Sequence, residues 1–219
     1  EAPDAAAAEA AAPVIAGKAT VGLNFEMSRL NSNGNTFIPP DTMGAVGPRH
    51  VVQLINGEFV VFDKTTGAQV ERRSLDSFWT TRAGLTVVNN GRFDPRIVYD
   101  PVSERWFALS IDGVVDADNN NVNEAANNFF VARTDTDDPT GDWDGVTFNA
   151  DSQGALEFHD YPTLGLDANF LYSCTQDFDG GGNESCYAIP KADLLAAAPT
   201  AANLVRLEAT PAGLPTVTG

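Results

Sequence analysis

Three stretches of this chain follow one plan, and their spacing constrains the fold more than any other feature. Each begins with an aspartate, runs through small or apolar residues to a turn, and then enters a stretch of β-forming residues. The starts are Asp41, Asp94 and Asp160, which lie 53 and 66 residues apart. Each interval leaves room for a further hairpin, as a four-stranded unit of roughly 40 to 50 residues with insertions requires. The repeat predicts consecutive four-stranded antiparallel sheets.

The residues between these starts alternate short β-branched and aromatic runs with Gly, Asn, Asp and Pro, which predicts an all-β fold. Asn56-Gly57 predicts a two-residue type I′ hairpin, and residues 64–67 predict the next turn. The one helical signal is a short turn over residues 191–198, between two prolines. Repeat and pattern together favour a β-propeller, with about three recognisable blades in this chain.

Four longer phrases carry a resemblance to known proteins: PPDTMGAVGPRHVVQLING, FDPRIVYDPVSERWFALS, TDTDDPTGDW and HDYPTLGLDANFLY. In this order they resemble a group of uncharacterised secreted bacterial β-propeller proteins, over about residues 38–189. The resemblance implies export, and it implies that residues 37–219 form blades of a larger ring. Residues 1–36 would then be an Ala-rich flexible lead-in. The third phrase also resembles the Asp-box turn of sialidase-like propellers, which is a folding element rather than a catalytic one.

The charge is strongly negative and unevenly distributed. The chain has 30 acidic and 13 basic residues, a net charge of −17, and nineteen of the acids lie between Asp94 and Cys186 with only three arginines. Such a balance excludes a nucleic-acid partner, because phosphate binding needs a basic patch. No apolar run approaches the roughly eighteen residues of a membrane-spanning helix. The acidic excess predicts either a solvated acidic face or bound calcium.

Two acidic segments are candidate calcium sites. The first is the insertion that begins at Asp112, in which alternate oxygen-bearing side chains could converge on one hard cation: Asp116, Asp118 and Asn120, with Asp112 and Glu124 as further candidate ligands. The second is a Gly-rich segment with Asp177, Asp179 and Asn183. The alternatives are a polar loop and a glycine-rich hairpin tip.

The repeated aspartates form a third candidate site. If Asp41, Asp94 and Asp160 each open the innermost strand of a blade, pseudo-symmetry brings them to the mouth of a central channel, where a cation or polar ligand could bind. His159 could join them as a ligand or act as a hydrogen-bonded structural residue. In the alternative interpretation, each carboxylate accepts backbone N–H bonds and fastens a turn.

The two cysteines, Cys174 and Cys186, are close in sequence, so they predict a disulfide and an oxidising compartment. The alternative is a pair of buried free thiols. The first residue is Glu1, and an Ala-rich stretch follows it, which is typical of a mature terminus after signal cleavage.

The familiar catalytic motifs are missing: the chain has no G-x-S-x-G elbow, H-E-x-x-H pair, P-loop or dinucleotide fingerprint. The sequence therefore favours a secreted, calcium-stabilised extracellular module for binding, adhesion or surface assembly, and leans away from an enzyme. Its expected partner is an extracellular polysaccharide or protein, or further copies of itself. Two alternatives remain. One is an extracellular carbohydrate-active enzyme, a glycoside hydrolase or lyase with its site at the channel mouth, and the other is a structural subunit of an envelope layer or filament.

Overall fold

A computed structural model describes residues 21–31, 34–86, 91–113, 127–150, 158–178 and 184–208. In these ranges the chain forms three antiparallel sheets. Two have four strands, and the third has four strands in sequence order and a short fifth strand at one edge. The all-β class and the four-stranded units predicted from the repeat are therefore confirmed. Each sheet begins close to one of the three repeated aspartates.

The first sheet contains four strands in sequence order: β1 (Met43–Val46), β2 (His50–Ile55), β3 (Glu58–Asp63) and β4 (Gln69–Ser74). Ile55 pairs with Glu58, so Asn56 and Gly57 form the predicted two-residue hairpin. The predicted type I′ geometry is wrong, because it needs positive φ at both turn residues and only Gly57 has it, at 89°. The turn predicted at residues 64–67 is confirmed and ends in Gly67, with φ of 73°.

The second sheet is also a four-stranded meander: β5 (Arg92–Asp100), β6 (Arg105–Asp112), β7 (Asn128–Thr134) and β8 (Trp143–Asn149). The third sheet contains β9 (Phe158–Asp160), β10 (Gly165–Leu166), β11 (Phe170–Phe178), β12 (Glu184–Pro190) and β13 (Val205–Glu208). Both β9 and β10 pair with β11 along the same edge, so they act as one interrupted first strand.

Helical structure is brief in the described ranges. A single turn, α1 (Leu75–Ser77), is capped by the Ser74 hydroxyl and continues into a π-helical turn at Phe78–Arg82. The sequence pattern did not predict this turn, which inserts Leu75, Phe78 and Trp79 into the core. The helical turn predicted at residues 191–198 is confirmed over its first part, α2 (Lys191–Leu194).

The sheets stack in layers with the second sheet in the middle. Successive residues of a strand point to opposite faces, so β6 contributes Trp106 and Ala108 to a core shared with the first sheet. Phe107, Leu109 and Ile111 of the same strand face the core shared with the third sheet. Both faces of β6 are therefore buried, which explains its nearly continuous apolar sequence.

The leading strands of the first two sheets lie side by side, since β1 contacts β5. This contact carries Asp41, just before β1, towards Asp94 in β5. No helix in the described ranges is both long enough and apolar enough to cross a membrane.

Candidate active site

Asp41 and Asp94 meet where the leading strands of two sheets come together. Asp94 lies at an irregularity in the register between β5 and β6, flanked by the paired residues Phe93 and Arg96. The carboxyl group of Asp94 is hydrogen-bonded to that of Asp41, and the Asp160 carboxylate is near enough to act on it electrostatically. Asp41 and Asp94 are therefore in contact across two sheets, and Asp160 of the third sheet lies within electrostatic range of Asp94.

Asn56 holds the first two aspartates in position. Its side-chain Nδ2 donates to Asp41 Oδ2 at 3.1 Å and to the Pro39 carbonyl at 3.0 Å. Its Oδ1 accepts the backbone N–H of Asp94 at 2.9 Å. Asp41 and Asp94 both have positive φ, 40° and 48°, a conformation that aspartate tolerates better than most residues. The hairpin of the first sheet thus clamps the site together.

Burial and neighbouring charge keep a proton on Asp94. The side chain is buried, with Asp94 only 8% exposed. Burial, followed by the hydrogen bond and negative charge of Asp41 and the charge of Asp160, raises the pKa of Asp94 from 3.8 to about 8. Arg96 acts in the opposite direction and is outweighed. At neutral pH Asp94 is therefore a neutral acid that donates its proton to the Asp41 carboxylate.

Arg96 and Tyr161 lie beside this acid. The Arg96 guanidinium sits 5.2 Å from the centre of the Tyr161 ring, in a cation–π contact. Tyr161 follows Asp160 directly, and its amide donates to Asp160 Oδ1 at 2.8 Å. Tyr161 also has a positive φ of 52°, which is rare for a bulky side chain. The site therefore combines three carboxyl groups, one guanidinium and one exposed aromatic ring.

His159, which the sequence placed with the aspartates, lies elsewhere. It is adjacent to Asp160 in β9, so the pleat directs the two side chains to opposite faces. The buried His159 Nδ1 is 2.8 Å from Asp177 Oδ1 and 2.9 Å from the Tyr187 hydroxyl. His159 therefore belongs to a polar network inside the third sheet's core, and its position corrects its assignment to the channel mouth.

The two described members of the candidate calcium sites accept hydrogen bonds from the protein. Asp177 accepts from Thr175 at 2.9 Å and Ser185 at 2.6 Å, in addition to its contact with His159. Asp112 accepts the backbone N–H of Asn128 at 2.6 Å. Both carboxylates are therefore hydrogen-bonded within the protein.

The remaining predicted calcium ligands lie outside the described residues: Asp116, Asp118, Asn120, Glu124, Asp179 and Asn183. Among the residues that the structure does describe, no group of three or more His, Cys, Asp or Glu side chains is arranged to hold a metal ion. Calcium binding therefore stays a prediction from the sequence.

The predicted disulfide is confirmed. Cys174 and Cys186 are bonded and lie directly opposite each other on β11 and β12. The alternative of two free thiols is therefore wrong. The bond joins two strands that are already paired, so it reinforces the hairpin next to the Gly-rich segment.

Three contributors to the site were not recognised in the sequence: Asn56, Arg96 and Tyr161. Asn56 was interpreted only as a turn residue. A signal for Tyr161 was present, because Asp94-Pro95 aligns with Tyr161-Pro162 and both residues before proline have positive φ. Aligning the repeat on proline makes Tyr161 the counterpart of Asp94 and moves Asp160 one position earlier.

No protein-family model matches the chain, and no curated protein matches it. Among solved structures, it is similar to an exo-β-1,3-galactanase from Phanerochaete chrysosporium with galactose, at 10% identity and a TM-score of 0.45, covering 81% of this chain and 40% of that one. A variant of that galactanase with β-1,3-galactotriose matches at 10% identity and a TM-score of 0.42, covering 72% and 36%.

An inulosucrase from Halalkalicoccus jeotgali bound to kestose matches at 18% identity and a TM-score of 0.34, covering 66% of this chain and 42% of that one. The chain thus spans about two fifths of the length of the solved structures it matches.

Proposed function

We propose that the three sheets are consecutive blades of an extracellular β-propeller, and that Asp41, Asp94 and Asp160 form a site that cleaves glycosidic bonds. The observation that carries the proposal is the direct hydrogen bond between the Asp41 and Asp94 carboxyl groups, with Asp160 acting on the same group. The contact β1–β5 and the layered sheets support the propeller arrangement, since leading strands of successive blades adjoin each other at the centre.

Glycoside hydrolysis needs one protonated and one ionised carboxyl group. Asp94 supplies the first, because its raised pKa of about 8 keeps it protonated at neutral pH. In this mechanism Asp94 gives its proton to the oxygen of the breaking glycosidic bond. Asp160 takes a proton from the attacking water, whose oxygen bonds to the sugar carbon as the glycosidic bond breaks, and Asp41 keeps the proton on Asp94 before the transfer.

The sequence favoured a binding module over an enzyme, but the paired carboxyl groups of Asp41 and Asp94 support an enzyme. A protein that only binds sugar has no need of a buried carboxyl group held neutral by a second carboxylate, and such a pair costs stability. Perturbed carboxyl groups of this kind concentrate at catalytic sites. The disulfide supports an extracellular location, because such bonds persist in oxidising compartments.

The test is release of reducing ends from a panel of neutral and acidic polysaccharides by the purified chain. We expect turnover by the wild type and a loss of about a hundredfold or more in Asp94→Asn, which cannot donate the proton. Asp142→Asn is the matched control, because Asp142 is an exposed aspartate in the turn between β7 and β8. Absence of turnover on every substrate, or equal rates for the wild type and Asp94→Asn, would contradict the proposal.

A further inference from the structure

Arg96 is a buried cation without an ion pair. Three described arginines are buried: Arg92, Arg96 and Arg133. Arg92 pairs with Asp76, and Arg133 pairs with Asp135 and Asp144. Arg96 is only 6% exposed, yet it forms no ion pair with any carboxylate in the part of the chain that the structure describes. A guanidinium stays charged at any accessible pH, so burying it without an anion is costly.

The free nitrogens of Arg96 are the two best suited to a carboxylate. Nη1 donates to the Pro95 carbonyl at 2.9 Å, while Nε and Nη2 have no partner among the described residues. Among the described residues, the fully buried side-chain nitrogen and oxygen atoms without a hydrogen-bond partner are His50 Nδ1, Arg82 Nε and Ser173 Oγ. The free nitrogens of Arg96 are not in that set, so they reach solvent. Nε and Nη2 form one edge of the guanidinium, which can bind a carboxylate through two parallel hydrogen bonds.

The surroundings hold this edge in a fixed place beside the acid. The Tyr161 ring lies against one guanidinium face at 5.2 Å, and Pro95 fixes the third nitrogen. Tyr161 is 62% exposed, so its other surface is open to a ligand such as a sugar ring. Arg96 is also close enough to Asp94 to oppose the rise in that group's pKa. A ligand that reaches Asp94 therefore passes within reach of Arg96.

We propose that Arg96 binds the carboxylate of a uronic acid unit, and that the glycan cleaved at Asp94 is an acidic polysaccharide. This inference rests on the proposed function and names its substrate class. Arg96 sets specificity by pairing with the sugar carboxylate, and Tyr161 orients the guanidinium and contacts the sugar ring. The protein's net charge of −17 repels polyanions at long range, so binding of an acidic glycan would depend on the local contact with Arg96.

The experiment measures binding of D-galacturonate, D-galactose and galactose 6-sulfate to the full chain by isothermal titration calorimetry. Monosaccharides have no glycosidic bond to cleave, so the result does not depend on turnover. We expect galacturonate to bind the wild type about tenfold more tightly than galactose, or better, as hydrogen bonds to charged groups provide. Arg96→Gln should remove that preference.

Two further variants complete the test. Arg96→Lys keeps the charge without the two parallel donors, so it should retain only part of the preference and it covers the case that Arg96→Gln does not fold. Arg105→Gln is the matched control, because within the described ranges the Arg105 side chain donates hydrogen bonds only to the backbone carbonyls of Ser103 and Glu104. Melting temperatures of all variants establish that they are folded.

Three results would overturn the inference: equal affinity of the wild type for galacturonate and galactose, no binding of galacturonate, or an unchanged preference in Arg96→Gln. Equal affinity for galacturonate and galactose 6-sulfate would also overturn the assignment to a carboxylate. If the wild type releases reducing ends only from neutral polysaccharides, the proposed function stands and the acidic substrate class fails.

Discussion

The carboxyl group of Asp94 donates a hydrogen bond to the carboxylate of Asp41, although 53 residues and a whole sheet separate them in the chain. Asn56 bonds to both residues and so links their positions. The pair forms because β1 of the first sheet lies against β5 of the second. Each sheet alone would carry only one of the two aspartates, so the carboxyl pair depends on the packing of the first sheet against the second.

Replacing Asp41 should change the pH profile of the proposed reaction. In Asp41→Asn the negative charge that disfavours ionisation of Asp94 is lost, so the pKa of Asp94 falls below about 8, while burial still keeps it above its ordinary value. The decline of kcat/KM at alkaline pH, measured on the best polysaccharide, should therefore begin at lower pH than in the wild type. An alkaline limb identical in wild type, Asp41→Asn and the Asp142→Asn control would contradict this role.

Asp94 should also make the protein less stable as pH rises. Its folded pKa of about 8 exceeds the ordinary 3.8, so between these values the folded state holds a proton that the unfolded state has released. Its stabilising effect is complete below about pH 4 and is lost as pH rises through about 8. Urea unfolding across this window should give a weaker pH dependence for Asp94→Asn. A slope equal to that of the wild type would show that Asp94 does not titrate there.

The buried ion pair between Lys191 and Asp100 should stabilise the packing of the third sheet on the second. Lys191 of α2 bonds to Asp100 of β5 and to the Asp167 carbonyl, and both charged side chains are buried. Lys191→Met leaves the buried Asp100 carboxylate without its partner. It should lower the free energy of unfolding, measured with urea, by about 3 to 5 kcal/mol. Arg49→Gln, which breaks the exposed pair with Asp137, should cost about 1 kcal/mol or less. Similar losses in both variants would be evidence against the buried pair's role.

Gly47 should not accept a side chain. A Cβ there would lie 2.4 Å from Cζ2 of Trp106, whose buried ring is held by a hydrogen bond from Nε1 to the Asp137 carbonyl at 2.9 Å. Gly47→Ala should therefore destabilise the protein by about 1 to 3 kcal/mol, as overpacking of a core does. Gly165→Ala is the control, since nothing lies within 4 Å of its Cβ position. Equal melting temperatures for the two variants would refute the clash.

Calcium should raise the melting temperature if the acidic segments bind it, because a ligand that binds only the folded state stabilises that state. Thermal melts with millimolar calcium and with excess chelator measure the effect. Asp118→Asn should remove the shift, whereas Asp142→Asn should keep it. Identical melting temperatures with calcium and with chelator would contradict calcium binding.

The strands were predictable because runs of apolar and β-branched residues are typical of buried strands. In β6 both faces are buried, and its sequence is almost continuously apolar. The pairing of Asp41 with Asp94 was predictable in outline from the repeat. The orientation of His159 was not, because the phase of a three-residue strand depends on pairing with β11. Arg96 was equally hidden, since a single arginine in a strand does not show whether it will find a carboxylate after folding.

The most direct test of the central claim is the protonation state of Asp94, measured by carbon-13 NMR titration of its carboxyl group in the wild type and in Asp41→Asn. We expect the Asp94 resonance to titrate near pH 8 in the wild type and at a lower pH in Asp41→Asn. Titration near the ordinary value of 3.8 in the wild type would contradict it, because Asp94 would then be ionised at neutral pH and could not donate a proton.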